Sequence, residues 1–245
     1  SGFAKKSDYP TMFPLFPSYY METKILGEYI KKNFAGKKVG IIYQDDDFGD
    51  DALAGLTQAG ITPAVKVPYA SLSQSKTTAA TWVSKLKTGG ADLVIMYGVT
   101  SAAAYALGTA AALGYKPQWI IDSVGGDAST LGLLGVPAPL LNGVITTTFL
   151  PAATDSTDEY VKLFKSINTK YNAGAAFDNN VLLAMNSAML TVQALRAAGK
   201  NPTRAGLMAA LEAKGSTFAS ASISPILYSS SSHVGYTGYW IGKYN

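Results

Sequence analysis

Apolar positions along this chain follow two spacings, one helical and one strand-like, in alternation. Over residues 19–34, Met21, Ile25, Leu26, Tyr29 and Ile30 recur at helical intervals. Glu22, Lys24, Glu28, Lys31 and Lys32 fall between them, so the pattern predicts an amphipathic helix with these charges turned to solvent. The run Lys37-Lys38-Val39-Gly40-Ile41-Ile42-Tyr43, closed by Asp45-Asp46-Asp47, predicts a buried strand. Similar runs recur at 61–67, 92–97, 118–122 and 143–149, with helical stretches at 50–59, 77–87 and 101–113 between them. Strands this far apart leave room for crossover helices, which makes them parallel. Residues 19–148 therefore read as a doubly wound α/β domain.

Beyond Pro151 the alternation stops. Ser156-Thr157-Asp158-Glu159 has the form of a capping box, opening a helix with Tyr160, Leu163, Phe164, Ile167 and Tyr171 on one face. A second helix spans 177–198 and is apolar on nearly every side, and a third spans 204–213. Two strand-like runs, 223–228 and 236–243, end the chain around a polar Ser229-to-Ser232 turn. The 177–198 helix carries Val181, Leu182, Leu183, Met185, Met189, Leu190, Val192 and Leu195. Burying each is worth roughly 1.5–3 kcal/mol, so the set needs a substantial surface to pack on. The expectation is a second sheet whose strands mostly lie upstream of Ser1, leaving the first half of that lobe outside this chain.

Composition removes several classes of chemistry. Cysteine is absent, which excludes disulfides and thiolate metal sites. The net charge of +4 is spread through mixed clusters: Lys31, Lys32, Lys37 and Lys38 lie near Glu22, Glu28 and Asp45 to Asp47, a solvated face and not a nucleic-acid groove. There is no uninterrupted run of 18 apolar residues and no apolar leader at Ser1-Gly2-Phe3-Ala4. The P-loop, dinucleotide, H-E-x-x-H and G-x-S-x-G patterns are all missing. His233 stands in a Ser-rich turn and reads as plain surface. The cluster Asp45, Asp46, Asp47, Asp50 and Asp51 departs from the calcium-loop template and reads as capping at a helix start. No catalytic group, metal or cofactor is expected.

The succession Phe13-Pro14-Leu15-Phe16-Pro17-Ser18, an amphipathic helix, then Lys38-Val39-Gly40-Ile41-Ile42-Tyr43-Gln44-Asp45-Asp46-Asp47-Phe48-Gly49 resembles the type I periplasmic binding proteins of ABC importers. The leucine/isoleucine/valine-binding group is the nearest in pattern. The likeness continues through Gly89-Gly90-Ala91-Asp92-Leu93-Val94, Ala112-Leu113-Gly114-Tyr115, Asn142-Gly143-Val144-Ile145 and the closing Ser224-Pro225-Ile226-Leu227. It implies an α/β fold of two doubly wound, Rossmann-like lobes with a cleft, the first half of lobe one being absent here. Residues 1–17 would then end lobe one and make the first crossover. Residues 18–148 would form lobe two, 149–222 the returning helices of lobe one, and 223–245 the final crossover and terminal strands.

The resemblance implies a non-enzymatic, periplasmic or extracellular receptor, with a lipid anchor compatible, that closes on a small organic solute and serves an ABC permease. A ligand-sensing domain of a regulator or receptor is the alternative. Ligands of open parallel sheets bind outside the carboxyl ends of the strands, which lie here at 44–48, 97–101 and 122–126. The resemblance places contacts at Phe48, Val99 and Ser123, and near Ser1, Gly2 and Phe177; Tyr97, Thr100 and Asp122 stand at the same strand ends. Amino-acid-binding members are similar in carrying a tyrosine, a second tyrosine and a glutamate where this chain has Phe48, Val99 and Ser123. A buried ammonium needs a paired carboxylate, so the departure predicts organic acids or neutral compounds over leucine-like amino acids, unless Asp122 faces the ligand.

Overall fold

The structure, a computed structural model, describes residues 2–245. Two compact units share the chain. One comprises residues 1–18 and 149–239, the other 19–148 and 240–245.

The second unit is built on a six-stranded sheet. Its elements are α1 (Tyr19–Asn33), β1 (Val39–Gln44), α2 (Asp47–Gln58), β2 (Val65–Tyr69), α3 (Lys76–Thr88), β3 (Leu93–Tyr97), α4 (Thr100–Ala112), β4 (Gln118–Ile121), α5 (Ala128–Leu133), α6 (Ala138–Leu141) and β5 (Ile145–Thr148). The strand order is β2-β1-β3-β4-β5, all parallel, with β6 (Trp240–Lys243) antiparallel on the β5 edge. Strand side chains alternate between faces. Ile41, Leu93, Ile95, Tyr97, Ile120 and Ile145 pack against α1 and α2, whereas Ile42, Val94, Met96 and Ile121 pack against α3 and α4.

Three expectations for this unit change. The strand expected at 61–67 begins only at Val65 and runs to Tyr69. Pro68 lies inside it, which an edge strand tolerates because one side needs no N–H donor. Helices α5 and α6 were not expected; they are six and four residues long, too short to show a period. Glu22, expected in solvent, is fully buried. The α1–α2 contact is close because Gly55 has no side chain: a Cβ there would collide with Thr23 Oγ1 and the Tyr20 carbonyl.

The first unit contains α7 (Glu159–Tyr171), α8 (Asn179–Ala198) and α9 (Arg204–Lys214). Helix α7 starts two residues later than a Ser156 cap would give, since Asp158 is the N-cap and its carboxylate accepts from Val161 N–H at 2.9 Å. Its buried stripe is Val161, Phe164 and Asn168; Leu163, Ile167 and Tyr171 are exposed, contrary to the expected face. The run expected as a strand at 223–228 makes only isolated bridges, Ile226 with Tyr236 and Ser229 with Ser232. Among the described residues, α8 alone has the length and composition to cross a membrane. Its buried Asn186 instead accepts from Ala221 N–H at 2.8 Å and donates to Ser220 Oγ and the Tyr236 hydroxyl, so this face of the helix packs on protein.

His233 is also corrected. It is fully buried, with Nδ1 2.9 Å from the Met12 carbonyl and Nε2 3.0 Å from Glu212 Oε1. Phe13 stacks on it at 3.8 Å between centroids, and Lys6 pairs with Glu212 at 2.5 Å. Lys6 first, then His233, hold the Glu212 carboxyl below its usual range. The segment before α1 is thereby tied to α9 and the closing residues of the same unit.

Candidate functional site

In the second unit, β1 and β3 are neighbours, yet the helices that follow them leave to opposite faces: α2 to the α1 side, α4 to the α3 side. Where successive connections diverge, the carboxyl ends of the strands leave a crevice. Phe48, in the first turn of α2, and Val99, which caps α4, flank it. The turn after β1 is built by Asp46, whose Oδ1 accepts from Phe48 N–H at 3.0 Å and whose Oδ2 accepts from Gln44 Nε2 at 2.6 Å. This gives the acidic loop its capping role.

Helix α1 precedes β1 and runs against it, so its first turn lies at the same strand ends. The ring of Tyr19 is 4.4 Å from that of Phe48, and Phe48 is 4.7 Å from Tyr97 at the end of β3. These aromatic rings form a wall, half-buried at Phe48 and Tyr19. Burial raises the Tyr19 hydroxyl to about 12, with the nearby Glu22 charge adding to it, so it stays a neutral donor.

Behind that wall lie two buried carboxylates, Glu22 and Asp122. Glu22 draws three elements together: Oε2 accepts from the Tyr97 hydroxyl at 2.8 Å, and Oε1 accepts from Ser123 N–H at 2.7 Å and from the Thr147 hydroxyl. Asp122 Oδ1 accepts from the N–H groups of Gly98 and Gly125, each at 3.2 Å, whereas Oδ2 is buried without a hydrogen-bond partner. Burial pushes the Glu22 carboxyl above its ordinary value despite its donors. Asp122 is pushed well above its own, first by burial and then by the Glu22 charge. Two neighbouring acids out of water resist double ionisation. Ser123 Oγ is likewise buried and makes no hydrogen bond of ordinary geometry, though it sits near enough to Glu22 to favour its charge.

The structure thus gathers Phe48, Tyr97, Val99, Thr100, Asp122 and Ser123 at one edge of one sheet, with different duties. Val99 packs partly against the α3–α4 core, and its N–H donates to the Tyr69 hydroxyl at 3.1 Å. The Thr100 hydroxyl donates to the Val124 carbonyl at 3.1 Å, bracing two turns. Gly2 begins a short 3-10 helix, Gly2–Ala4, and Phe177 is half-buried just before Asp178, the N-cap of α8; both belong to the other unit. Ser1 lies outside the described residues. Glu22, Tyr19 and Thr147 were missed by sequence reading. An acid in the first turn of an amphipathic helix looks like a solvated one, and only the strand ends meeting it reveal otherwise.

A family model described as periplasmic binding protein matches residues 1–245, and the chain belongs to that family. Solved structures share its fold. A possible leucine/isoleucine/valine-binding protein from Rhodopirellula baltica SH 1 is 19% identical with a TM-score of 0.81, over 98% of this chain and 65% of that one. A branched chain amino acid ABC transporter from Thermus thermophilus with bound valine is 22% identical with a TM-score of 0.79, over 95% and 64%. A fatty acid ABC transporter substrate-binding protein from Thermomonospora curvata is 19% identical with a TM-score of 0.73, over 94% and 63%. The chain therefore spans about two thirds of the length of these relatives, or slightly less. No curated protein sequence is similar enough to count as a relative.

Proposed function

We propose that this chain is the solute-recognising part of a periplasmic or extracellular receptor that captures a small organic molecule for an ABC importer, without turning it over. The observation that carries this reading is the edge at the β1/β3 divergence, where an aromatic wall of Tyr19, Phe48 and Tyr97 fronts two buried acids. Hinge closure of two lobes around the solute is the motion such receptors use. Family membership supports solute binding; relatives whose names specify amino acids and a fatty acid leave the substrate open.

The acids revise the ligand preference read from the sequence. An anionic head group at this edge would lie near the acidic loop at 45–51, with the buried Glu22 and Asp122 behind the wall, and no lysine or arginine takes part in the Glu22 and Asp122 hydrogen bonds. A solute with an apolar or aromatic body and a hydrogen-bond donor at this end is the better fit. Calorimetric titration of the protein with leucine, valine and the matched acids lacking the amino group tests this. Tighter binding of the amino compounds is expected. Tighter binding of the deaminated acids would overturn the ligand reading, and conversion of any tight ligand to product would overturn the receptor reading.

A further inference from the structure

A trench of about 660 Å³ lies on the α3–α4 flank of the second unit, between α4 and the turn joining α5 to α6. It is separate from the aromatic edge. One wall is α4, whose sequence Thr-Ser-Ala-Ala-Ala-Tyr-Ala-Leu-Gly-Thr-Ala-Ala-Ala supplies small side chains; Ala104, Gly108 and Ala112 line the trench. The facing wall is Leu134, Val136 and Leu140. With 13 residues, α4 is about 20 Å long. Leu113 and Leu134, one on each wall, stay 41% and 50% exposed, so apolar surface is left in water there.

The trench has a polar end. Lys76, at the start of α3, and Ser101, in the first turn of α4, both line it, and both helices start at the carboxyl end of the sheet. Lys76 is exposed and has no ion-pair or hydrogen-bond partner among the described residues. No Asp or Glu lines the trench, and none occurs in 52–91, 93–121 or 128–154, which hold every residue of both walls. Lys87 does not compete at the far end, because its ammonium is bonded to the Leu113 carbonyl at 2.8 Å.

We propose that this trench is a second binding site, for an amphiphilic carboxylate whose apolar chain lies along α4 and whose head group meets Lys76. The volume is within the ~300–1,000 Å³ of small-molecule pockets. A trench one helix long is narrow against the ~800 Å² that each partner contributes to a specific protein interface. An apolar trench along one helix with Lys76 at one end, and no acid among its lining residues, selects a chain with one anionic head over a neutral or cationic molecule.

Titration of the protein with dodecanoate below its micelle concentration, followed by calorimetry, tests the site. Dodecanol and dodecylammonium serve as the charge controls. Saturable one-to-one binding of dodecanoate is expected. Gly108→Leu fills the trench, and open space stands in front of that glycine, so the fold is retained while dodecanoate binding weakens by at least about tenfold. Ala112→Leu is a second filling variant should Gly108→Leu alter the melt. Lys76→Glu weakens dodecanoate about three- to tenfold, as expected for an exposed charge, and leaves dodecanol unchanged. Absence of saturation, or affinity unaffected by both filling variants, overturns the proposal. So does sedimentation showing self-association that Gly108→Leu disperses, which would make the trench a contact between copies. Leucine or valine binding is indifferent to these variants, so failure here leaves the reading of the aromatic edge untouched.

Discussion

Tyr97, the last residue of β3, donates its hydroxyl proton to Glu22 on α1 at 2.8 Å, and both side chains are fully buried. The bond joins the end of a central strand to the first turns of a helix 75 residues earlier. It places an acid beside Asp122 and directly behind the Phe48 and Tyr19 rings. Through Ser123 N–H and Thr147, the same carboxylate also ties down the ends of β4 and β5, so one side chain organises the whole edge.

That arrangement makes stability depend on pH. Both acids have folded-state values raised above their ordinary ones, by burial first. The folded form then holds protons that the unfolded chain releases, so the contribution of these two acids is fully present at low pH and is lost as pH rises from the ordinary carboxylate range through the raised folded values. Asp122→Asn keeps an oxygen for the Gly98 and Gly125 N–H groups and removes the second charge. Its melting temperature is expected to exceed that of the parent by about 2–4 °C at pH 8, near 1 kcal/mol, and to match it near pH 4. Parallel melts across this range check it; equal melting at every pH would show that the pair does not carry a strained charge.

Phe48→Ala should reveal whether the aromatic wall contacts solute. It removes ring contacts with Tyr19 and Tyr97, each worth about 0.5–1.5 kcal/mol. An affinity loss of at least about tenfold is expected for whatever small solute the protein binds, whereas Phe48→Tyr retains it. Unchanged affinity in Phe48→Ala would move the site elsewhere.

Gly55→Ala is expected to destabilise the second unit by about 1–3 kcal/mol, the usual range for overpacking. An alanine normally favours a helix over glycine by ~1 kcal/mol, so the sign itself is diagnostic. The loss arises because the added methyl meets Thr23 and the Tyr20 backbone. Urea denaturation gives the value; a stabilised variant would mean α1 moves aside freely.

His233→Ala is expected to cost the first unit about 1–3 kcal/mol, because it strands the Met12 carbonyl and removes one partner of Glu212. Hydrogen exchange should show faster opening of the segment around Met12 and Phe13, with the second unit's sheet unchanged. Equal protection in both proteins would mean that Phe13 packing alone holds the segment.

The alternation of strand and helix across residues 19–148 was readable because each element declares itself locally. β3, Leu-Val-Ile-Met-Tyr, is apolar throughout because both faces are covered, and Asp46 and Ser75 mark helix starts through bonds spanning two or three residues. The edge holding Phe48, Tyr97, Val99, Thr100, Asp122 and Ser123 followed from the same logic, since parallel strands bring their carboxyl ends together. Short elements such as α5 and α6 were lost because four to six residues cannot show a 3.6-residue period.

What the sequence determined by itself was therefore the order and type of the long elements and the edge where their ends converge. Periodicity and capping act within a few residues and need no partner. The tertiary structure alone decided which stripe of α1 and α7 faces inward, that Glu22 is buried beside Asp122, that His233 is enclosed by Met12 and Glu212, and that α4 borders a trench. Each depends on groups up to 221 residues apart along the chain. Whether a charged side chain meets water or another acid is set by what the fold brings opposite it, and no local pattern carries that information.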